Sequence, residues 1–270
     1  MNGYSLLNQK GENNMLAGQV IIVTGGSNGM GKYMAKNFAE QGAHVVITGR
    51  DQERLYAAQR ELQQTAMGEI AVFQMDVRVV EHVDAMVKYV HDKFGTITRL
   101  VNNAAGNFIV RAEDLSPNGW KSVIDIVLNG TFYCSQAVGK YWIEHQIKGA
   151  ILNMVATYAW QAGAGVVHSA AAKAGVLSLT RTLAVEWGSA YGIRVNAIAP
   201  GPIDRTGGAE KLWESEEAAK RTLQSVPLHR LGQPEEIADL AAFILSDKAA
   251  YMNGECVTLD GGQWLNSHPF

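Results

Sequence analysis

The sequence predicts an α/β fold with one doubly wound sheet of seven parallel strands. Short β-branched apolar segments alternate with longer segments whose apolar residues recur at helical spacing. A glycine-rich segment stands between the first of these strands and the first helix. No linker, internal repeat or low-complexity segment interrupts the 270 residues, which fit one large domain. Strand–helix alternation of this kind is typical of a parallel sheet with right-handed crossovers.

Seven segments have the composition of buried parallel strands. The first reads Gln-Val-Ile-Ile-Val at 19–23, and the last is the short run Cys-Val-Thr-Leu. Continuous β-branched runs are what a sheet covered on both faces requires. The predicted strands are 19–23, 42–48, 70–75, 99–102, 150–155, 194–199 and 256–259.

Helical spacing of apolar residues predicts the connecting segments. Two of them are much longer than the others, and their apolar content exceeds what one sheet face should cover. The predicted helices are 32–39, 51–64, 80–94, about 119–144, about 166–189 and 234–245.

Composition narrows the possible partners. Apolar residues make up 47% of the chain and charged residues 18%, as in ordinary soluble enzymes. The net charge of −3 gives no reason to expect nucleic acid or an anionic membrane as a partner. No apolar run reaches the roughly 18 residues of a membrane span.

The cysteines and the N-terminal segment bear on location and domain limits. Cys134 and Cys256 lie too far apart to suggest a metal site, so we expect no metal and two free thiols in a reducing cytoplasm. Residues 1–14 are polar and predict a disordered tail, which leaves residues 15–270 as the domain.

The glycine-rich segment between the first strand and first helix is the strongest motif. A turn without side chains lets a pyrophosphate approach the backbone, and the helix N-terminus attracts the anion. The strand before it and the helix after it supply the context that this motif needs. The alternative is a turn that only tolerates glycine. The predicted dinucleotide contacts are Gly25, Ser27, Asn28, Gly29, Met30 and Gly31.

The end of the second strand indicates which dinucleotide binds. A carboxylate there would accept hydrogen bonds from the ribose of NAD, whereas a cation would neutralise the 2′-phosphate of NADP. This chain has Arg50 and no carboxylate at the strand end, which favours NADPH as the cofactor. The alternative is a solvated surface arginine paired with Asp51 or Glu53.

The spacing Thr-Gly-x-x-x-Gly-x-Gly resembles that of the short-chain dehydrogenase/reductase family, whose members have a Rossmann-type fold. The resemblance covers nearly the whole chain, because segments after the third, fourth and sixth strands also match. It implies adenine contacts by Asp76 and Val77 and a cofactor-lining segment at Asn103 and Ala104. It also implies contacts to the nicotinamide and nearby phosphate from Pro200, Gly201, Ile203 and Thr206.

The chain departs from the family at the usual Tyr-x-x-x-Lys pair. Lys173 is present, but Ser169 stands where the tyrosine is expected, and a serine hydroxyl is a much poorer acid than a phenol. Tyr158 lies fifteen residues before Lys173, and Asn107 stands in Asn-Ala-Ala-Gly-Asn-Phe. This combination resembles the 2,4-dienoyl-CoA reductase branch of the family.

The resemblance implies NADPH-dependent reduction of 2,4-dienoyl-CoA thioesters during the degradation of unsaturated fatty acids. Tyr158 and Asn107 would donate to the thioester oxygen, Lys173 would bind the nicotinamide ribose, and Ser169 would orient its neighbours. It also implies a homotetramer. The segment 205–226 is where a substrate lid would lie.

Other interpretations remain open at this point. Tyr158 could be a loop aromatic packed on Trp160, and Asn107 could cap the helix or turn that follows it. The protein could be another short-chain reductase, such as a 3-oxoacyl, alcohol or sugar dehydrogenase. It could also be a catalytically silent dinucleotide-binding protein.

Overall fold

A computed structural model describes residues 14–206 and 216–266, which build one seven-stranded sheet. Every neighbouring pair of strands is parallel, and the order is β3-β2-β1-β4-β5-β6-β7. All seven predicted strands are confirmed. They are β1 (Val20–Thr24), β2 (His44–Gly49), β3 (Ile70–Gln74), β4 (Arg99–Asn102), β5 (Ala150–Met154), β6 (Arg194–Pro200) and β7 (Cys256–Leu259).

The predicted bounds of β4 and β7 are confirmed, and the ends of the other strands differ from the predicted ones by one or two residues. The clearest case is β2, whose predicted start at Gly42 is wrong. Gly42 has a φ of +85° and its N–H donates to the carbonyl of Ala39, so it ends the preceding helix instead.

Eight α-helices are formed by the described residues. The predicted bounds of 80–94 and 234–245 are confirmed, whereas the first helix begins earlier, at Gly29. The helices are α1 (Gly29–Glu40), α2 (Gln52–Leu62), α3 (Val80–Phe94), α4 (Pro117–Ile124), α5 (Gly130–Glu144), α6 (Val167–Tyr191), α7 (Glu216–Ser225) and α8 (Pro234–Leu245). None of these helices combines the length and hydropathy needed to cross a bilayer.

The predicted helix 119–144 is not one regular helix. A π-helical turn, Asp125–Asn129, separates α4 from α5. The hydroxyl of Ser116 accepts from the N–H of Gly119 at 3.0 Å and so starts α4 two residues earlier than predicted. Apolar spacing does not reveal a π turn, because the extra residue changes the backbone and leaves the composition helical.

Two predicted segments extend beyond the described residues. Of the tail at 1–14, residues 1–13 lie outside them, and so do residues 207–215 of the segment predicted to be a lid. The described end of that segment contains α7, which the sequence analysis did not assign.

The two faces of the sheet are covered by different helices. The cluster on one face joins β1 and β2 to α1, α2 and α8. The cluster on the other face joins the sheet to α3, α5 and α6. Polar groups also cross the second face, since Asn102 donates to Ser135 and Asn153 donates to Thr180, both at 2.9 Å. The fold is thus the doubly wound α/β architecture that the sequence predicts.

Side-chain hydrogen bonds hold helix α8 at both ends. At its C-terminal end, Arg99 Nε donates to the carbonyl of Leu245 at 2.6 Å, and Arg194 Nη1 donates to that of Ile244 at 3.0 Å. At its N-terminal end, Glu236 accepts from the N–H of Gln233 at 2.7 Å. The Arg230 guanidinium beside Glu236 lowers the pKa of that carboxyl to about 2.

Candidate active site

The predicted site residues lie at the carboxyl ends of the strands. Because all strands are parallel, the segments that follow them meet at one edge of the sheet. This edge carries the glycine-rich turn after β1, Arg50 after β2, Asp76 after β3, Asn103 after β4, Tyr158 after β5 and Gly201 after β6.

The glycine-rich turn is packed too tightly for side chains. A Cβ on Gly31 would meet the carbonyl oxygen of Gly25 and lie 2.5 Å from Asn103 Nδ2. Gly25 has a φ of +65°, and a Cβ on it would lie 3.0 Å from Ala104 Cα. The glycines are therefore required by the turn itself, which argues against a turn that merely tolerates them.

Hydrogen bonds of Thr24, the last residue of β1, and of Asn103, which follows β4, hold this turn in place. Asn103 Nδ2 donates to the carbonyls of Thr24 and Gly25 at 3.0 and 3.1 Å. The N–H groups of Asn103 and Ala104 donate to Thr24 Oγ1 at 2.9 and 3.0 Å. The Asn103 amide thus holds the glycine turn in place in this structure.

The start of α1 has the features of an anion site. Its N-cap, Asn28, makes no side-chain capping bond, and its first turn contains no acidic residue. Gly29 has a φ of +49°, and Met30 packs against the core. Uncapped N–H groups and the positive end of the helix dipole fit a dinucleotide pyrophosphate.

Arg50 is exposed directly after β2. Within residues 14–206 and 216–266 it forms no ion pair, so the predicted alternative pairing with Asp51 or Glu53 is absent. Asp51 instead caps α2 by accepting from the N–H of Arg54 at 3.0 Å. The Ser27 hydroxyl lies beside Gly49, so a hydroxyl and a guanidinium flank the end of β2.

Asp76 and Val77 follow β3 and make separate contacts. Arg78 Nε donates to Asp76 Oδ1 at 2.9 Å, and this bond lowers the pKa of the carboxyl. Val77 is buried against Gly130 at the start of α5, where a Cβ would lie 2.6 Å from Val77 Cγ2.

The segment after β6 is fixed to its neighbours. Pro200 ends β6, and Gly201 lies against Asp260, since a Cβ there would be 2.6 Å from Asp260 Cβ. Ile203 is buried and bridges to Gly232, and Thr206 Oγ1 donates to the Ile203 carbonyl at 2.7 Å.

Tyr158 and Ser169 are brought together by the turn after β5. Tyr158 lies in a 3-10 turn, Thr157–Ala159, and its hydroxyl is 3.1 Å from Ser169 Oγ. Ser169 is buried in the first turn of α6. The ring of Trp160, two residues further on, meets the ring of Trp264 edge-on.

Lys173 lies one helical turn after Ser169 on α6. Its Nζ donates to the carbonyl of Met154, the last residue of β5, at 2.6 Å. Burial lowers the pKa of Lys173 to about 8, because the charged form is poorly solvated there.

Asn107 is exposed on the loop after β4. The residue that caps α4 is Ser116, and the residue before the 3-10 turn Ala112–Asp114 is Arg111. The loop is held beside the start of α6, where the N–H of Val110 donates to the Gly165 carbonyl at 3.0 Å.

His168 packs against the loop that carries Asn107. Its buried ring meets Phe108 edge-on at 4.5 Å between centroids, and burial lowers its pKa. Among the described residues its two ring nitrogens have no hydrogen-bond partner. A neutral, packed imidazole indicates support rather than proton transfer.

The π-helical turn is a feature that the sequence analysis missed. It ends at Asn129, whose amide donates to Asp125 at 2.9 Å, and Leu128 packs against Gly175 on the helix that carries Lys173. Such turns are frequent at functional sites. An Asn-Gly pair inside a helical pattern was the available signal.

The described residues contain no group of three or more potential metal ligands.

Comparison with known proteins gives consistent family matches. Residues 18–263 match the family described as Enoyl-(Acyl carrier protein) reductase. A Bacillus subtilis protein named probable 2,4-dienoyl-CoA reductase [(2E)-enoyl-CoA-producing] is 66% identical over 252 residues, which are 93% of this chain and 99% of that one. An Arabidopsis thaliana protein named peroxisomal 2,4-dienoyl-CoA reductase [(3E)-enoyl-CoA-producing] is 39% identical, over 93% and 86% of the two chains.

Solved structures show the same architecture. A short chain dehydrogenase from Bacillus anthracis is 63% identical with a TM-score of 0.86, covering 93% of this chain and 98% of that one. Levodione reductase is 33% identical with a TM-score of 0.87, covering 93% and 99%. Proteins with differently named activities thus share this fold, so the site residues must carry the functional argument.

Proposed function

The chain belongs to the short-chain dehydrogenase/reductase family, and from this premise we propose that it reduces 2,4-dienoyl-CoA thioesters to enoyl-CoA with NADPH. Such a reaction acts on CH–CH bonds and serves the degradation of unsaturated fatty acids. The names of the two reductases from Bacillus subtilis and Arabidopsis thaliana support the acyl-CoA substrate.

One observation carries the proposal. The Tyr158 hydroxyl lies 3.1 Å from Ser169 Oγ, and position 169 is where the typical family member has its tyrosine. This contact supports the proposal that a phenol from the turn after β5 takes over the role of the missing helical tyrosine. The hydroxyl then approaches the substrate from the loop after β5 and not from α6. This different direction is consistent with a different substrate.

The site residues act on the charge that develops on the substrate. When bound, NADPH supplies a hydride to the far end of the conjugated system. Tyr158 and Asn107 donate hydrogen bonds to the thioester oxygen, where negative charge accumulates as a dienolate. A carbon of the dienolate then takes a proton from water, so no side chain must deliver one to a carbonyl.

Lys173 and Ser169 support these donors. The Lys173 ammonium binds the nicotinamide ribose and keeps the site electropositive when the charge develops. Ser169 orients the Tyr158 hydroxyl through the bond already described. Since Ser169 is buried, its hydroxyl has few alternative partners.

The edge of the sheet described above would hold the cofactor. The glycine turn and the start of α1, with Gly25, Ser27, Asn28, Gly29, Met30 and Gly31, would bind the pyrophosphate. Arg50 and the Ser27 hydroxyl would bind the 2′-phosphate and so select NADPH over NADH. Asp76 and Val77 would contact adenine, and the nicotinamide half would be held by Asn103, Ala104, Lys173, Pro200, Gly201, Ile203 and Thr206.

Assembly and location belong to the same proposal. The helices α4 to α6 expose Trp120, Phe132 and Val185, and exposed apolar side chains of this kind suit subunit contacts in a homotetramer. Light scattering should give the mass of four chains, and a monomer would contradict this. We place the enzyme in the cytoplasm, with α7 as the described part of the substrate lid.

The decisive experiment measures single-turnover NADPH oxidation with a 2,4-dienoyl-CoA. Tyr158→Phe should slow the step by about 10²–10³ while NADPH affinity stays nearly unchanged, because one oxyanion donor is lost. Ser169→Ala should cost less. A Tyr158→Phe enzyme at the wild-type rate beside an inactive Ser169→Ala enzyme would contradict the mechanism.

The alternatives give different results in the same assay. A 3-oxoacyl or sugar dehydrogenase would oxidise NADPH faster with those substrates than with the dienoyl thioester. A silent dinucleotide-binding protein would bind NADPH and oxidise it with none of them.

A further inference from the structure

The turn that carries Tyr158 is joined to a distant part of the chain, residues 260–266, called here the C-terminal turn. Gln161 Nε2 donates to the carbonyl of Trp264 at 2.5 Å. The rings of Trp160 and Trp264 meet edge-on with their centroids 5.9 Å apart. Trp160, which contacts Trp264, follows the proposed oxyanion donor Tyr158 by only two residues.

The C-terminal turn is itself firmly anchored. The buried Asp260 carboxylate accepts from the N–H groups of Gly262 and Trp264 at 2.9 and 2.8 Å. Gln263 and Asn266 donate to Ser225 at the end of α7. Asp260 also contacts Gly201 in the segment after β6. The turn therefore meets the three elements that border the proposed substrate site.

Apolar surface is concentrated around this junction. The Trp160 side chain is 38% exposed and Leu265 is 68% exposed. On the other side of the same loop, Ile109 and Val167 are also exposed, and Ile109 lies against Gly165. Clustered apolar side chains in water do not stabilise the fold, and beside a catalytic turn they indicate an apolar ligand.

The charges at the junction exclude the other half of an acyl-CoA. The CoA moiety is rich in phosphates, which bind arginine and lysine side chains. Neither 159–167 nor 260–266 contains an arginine or lysine, and the latter segment carries the Asp260 carboxylate. These two segments thus offer apolar surface and no arginine or lysine.

We propose that Trp160 and Trp264 form the wall against which the acyl chain of the substrate lies, and that this wall makes the enzyme prefer long chains. The inference rests on the proposed function. With the thioester oxygen at Tyr158, the chain beyond the diene has an apolar path along the two indoles. Aromatic rings provide a large, rigid apolar face for such a chain.

The test compares the shortest 2,4-dienoyl-CoA with a long-chain one in steady-state assays of the whole enzyme. Trp160→Ala should raise KM for the long substrate about tenfold, since each methylene removed from water is worth roughly fourfold in affinity. The kcat/KM for the short substrate should fall much less than that for the long substrate. Trp264→Phe should retain most of the long-chain preference, and Trp264→Ala should lose it.

The matched control is Phe243→Ala, which removes an aromatic ring on α8 with a similar exposure of 37%. It should leave the chain-length preference intact. NADPH binding by each variant reports whether it has folded, and Trp264→Phe provides a mild substitution should an alanine variant fail to fold.

Two results would overturn the inference. An equal loss for short and long substrates would show that the tryptophans only position Tyr158, and an unchanged chain-length preference would show that the chain lies elsewhere. Failure of the proposed function looks different, because the wild-type enzyme would then reduce neither substrate.

Discussion

The two halves of the site are built in different ways. On the proposed cofactor half, the glycine turn after β1 is held by backbone contacts, by Thr24 at the end of β1 and by Asn103 after β4. On the proposed catalytic half, Tyr158 reaches Ser169 from a loop, and that loop is held by Gln161 and the distant Trp264. The first half has no free space for a side chain at Gly25, Gly26 or Gly31, whereas the second is made of surface loops.

This difference suggests that one half of the site keeps a constant geometry while the other can vary. A tightly packed turn preserves one ligand geometry, so the dinucleotide site can be shared by enzymes with different substrates. Loops that meet through a few side-chain contacts can change without disturbing the sheet. The relocated tyrosine of this chain is an example of such a change.

The largest expected effect breaks the packed half. Gly31→Ala should destabilise the protein by about 3 kcal/mol and weaken NADPH binding at least about a hundredfold, because the new methyl would push Gly25 and Asn103 apart. Isothermal calorimetry and thermal unfolding measure the two effects. Gly106→Ala is the matched control, since a Cβ there meets only Ile126 at 3.8 Å. Equal behaviour of the two variants would refute the packing argument.

The next effect concerns the catalytic half and is a pH dependence of the free energy of unfolding. The pKa of Lys173 is lowered from 10.5 to about 8 in the folded chain, so the unfolded chain binds its proton up to higher pH. The free energy of unfolding should therefore rise with pH between about 8 and 10.5, and fall towards neutral pH where the buried ammonium must be charged. Relative to Lys173→Met, the cofactor-free protein should gain about 2 kcal/mol between pH 8 and 9.5. A pH-independent difference would contradict the lowered pKa.

A smaller effect tests the edge of the cofactor half. Arg50→Asp should weaken NADPH binding at least about tenfold and NADH binding much less, because a phosphate contact becomes a repulsion. Fluorescence titration with both nucleotides measures the ratio. Arg54→Asp, on a neighbouring exposed arginine, is the control. Equal weakening of both nucleotides would show that Arg50 does not contact the 2′-phosphate.

The smallest effect concerns the connection between the catalytic loop and the C-terminal turn. Gln161→Ala removes one exposed hydrogen bond, which contributes about 0.5–1.5 kcal/mol, so kcat should fall roughly threefold with little change in thermal stability. A loss as large as that of Tyr158→Phe would mean that the loop is as rigidly determined as the glycine turn.

Local patterns predicted the sheet and the glycine turn well. The seven strands, the bounds of α3 and α8, and the glycine turn depend on residues that are close in sequence, so composition and spacing carry the information. The amide contacts of Asn103, and the lack of an ion pair between Arg50 and any other described residue, needed the folded chain, because they depend on which strands are neighbours.

The catalytic half was less predictable for the same reason. Tyr158 and Lys173 were found through resemblance, while the bond to Ser169 joins residues eleven apart across an irregular turn. The contact of Gln161 with Trp264 spans 103 positions, and no periodic pattern indicates it. The π-helical turn was missed because its residues are ordinary helix residues.

The two arginines at the C-terminal end of α8 have a consequence for how the protein opens. Arg99 and Arg194 belong to β4 and β6, so fraying of α8 at that end would have to strip both guanidinium groups from their carbonyls. Local opening of α8 is therefore suppressed, and its amide protons should exchange with deuterium only when the central strands separate. The amide protons of α8 would then exchange as slowly as those of the innermost strands, although α8 is a surface helix.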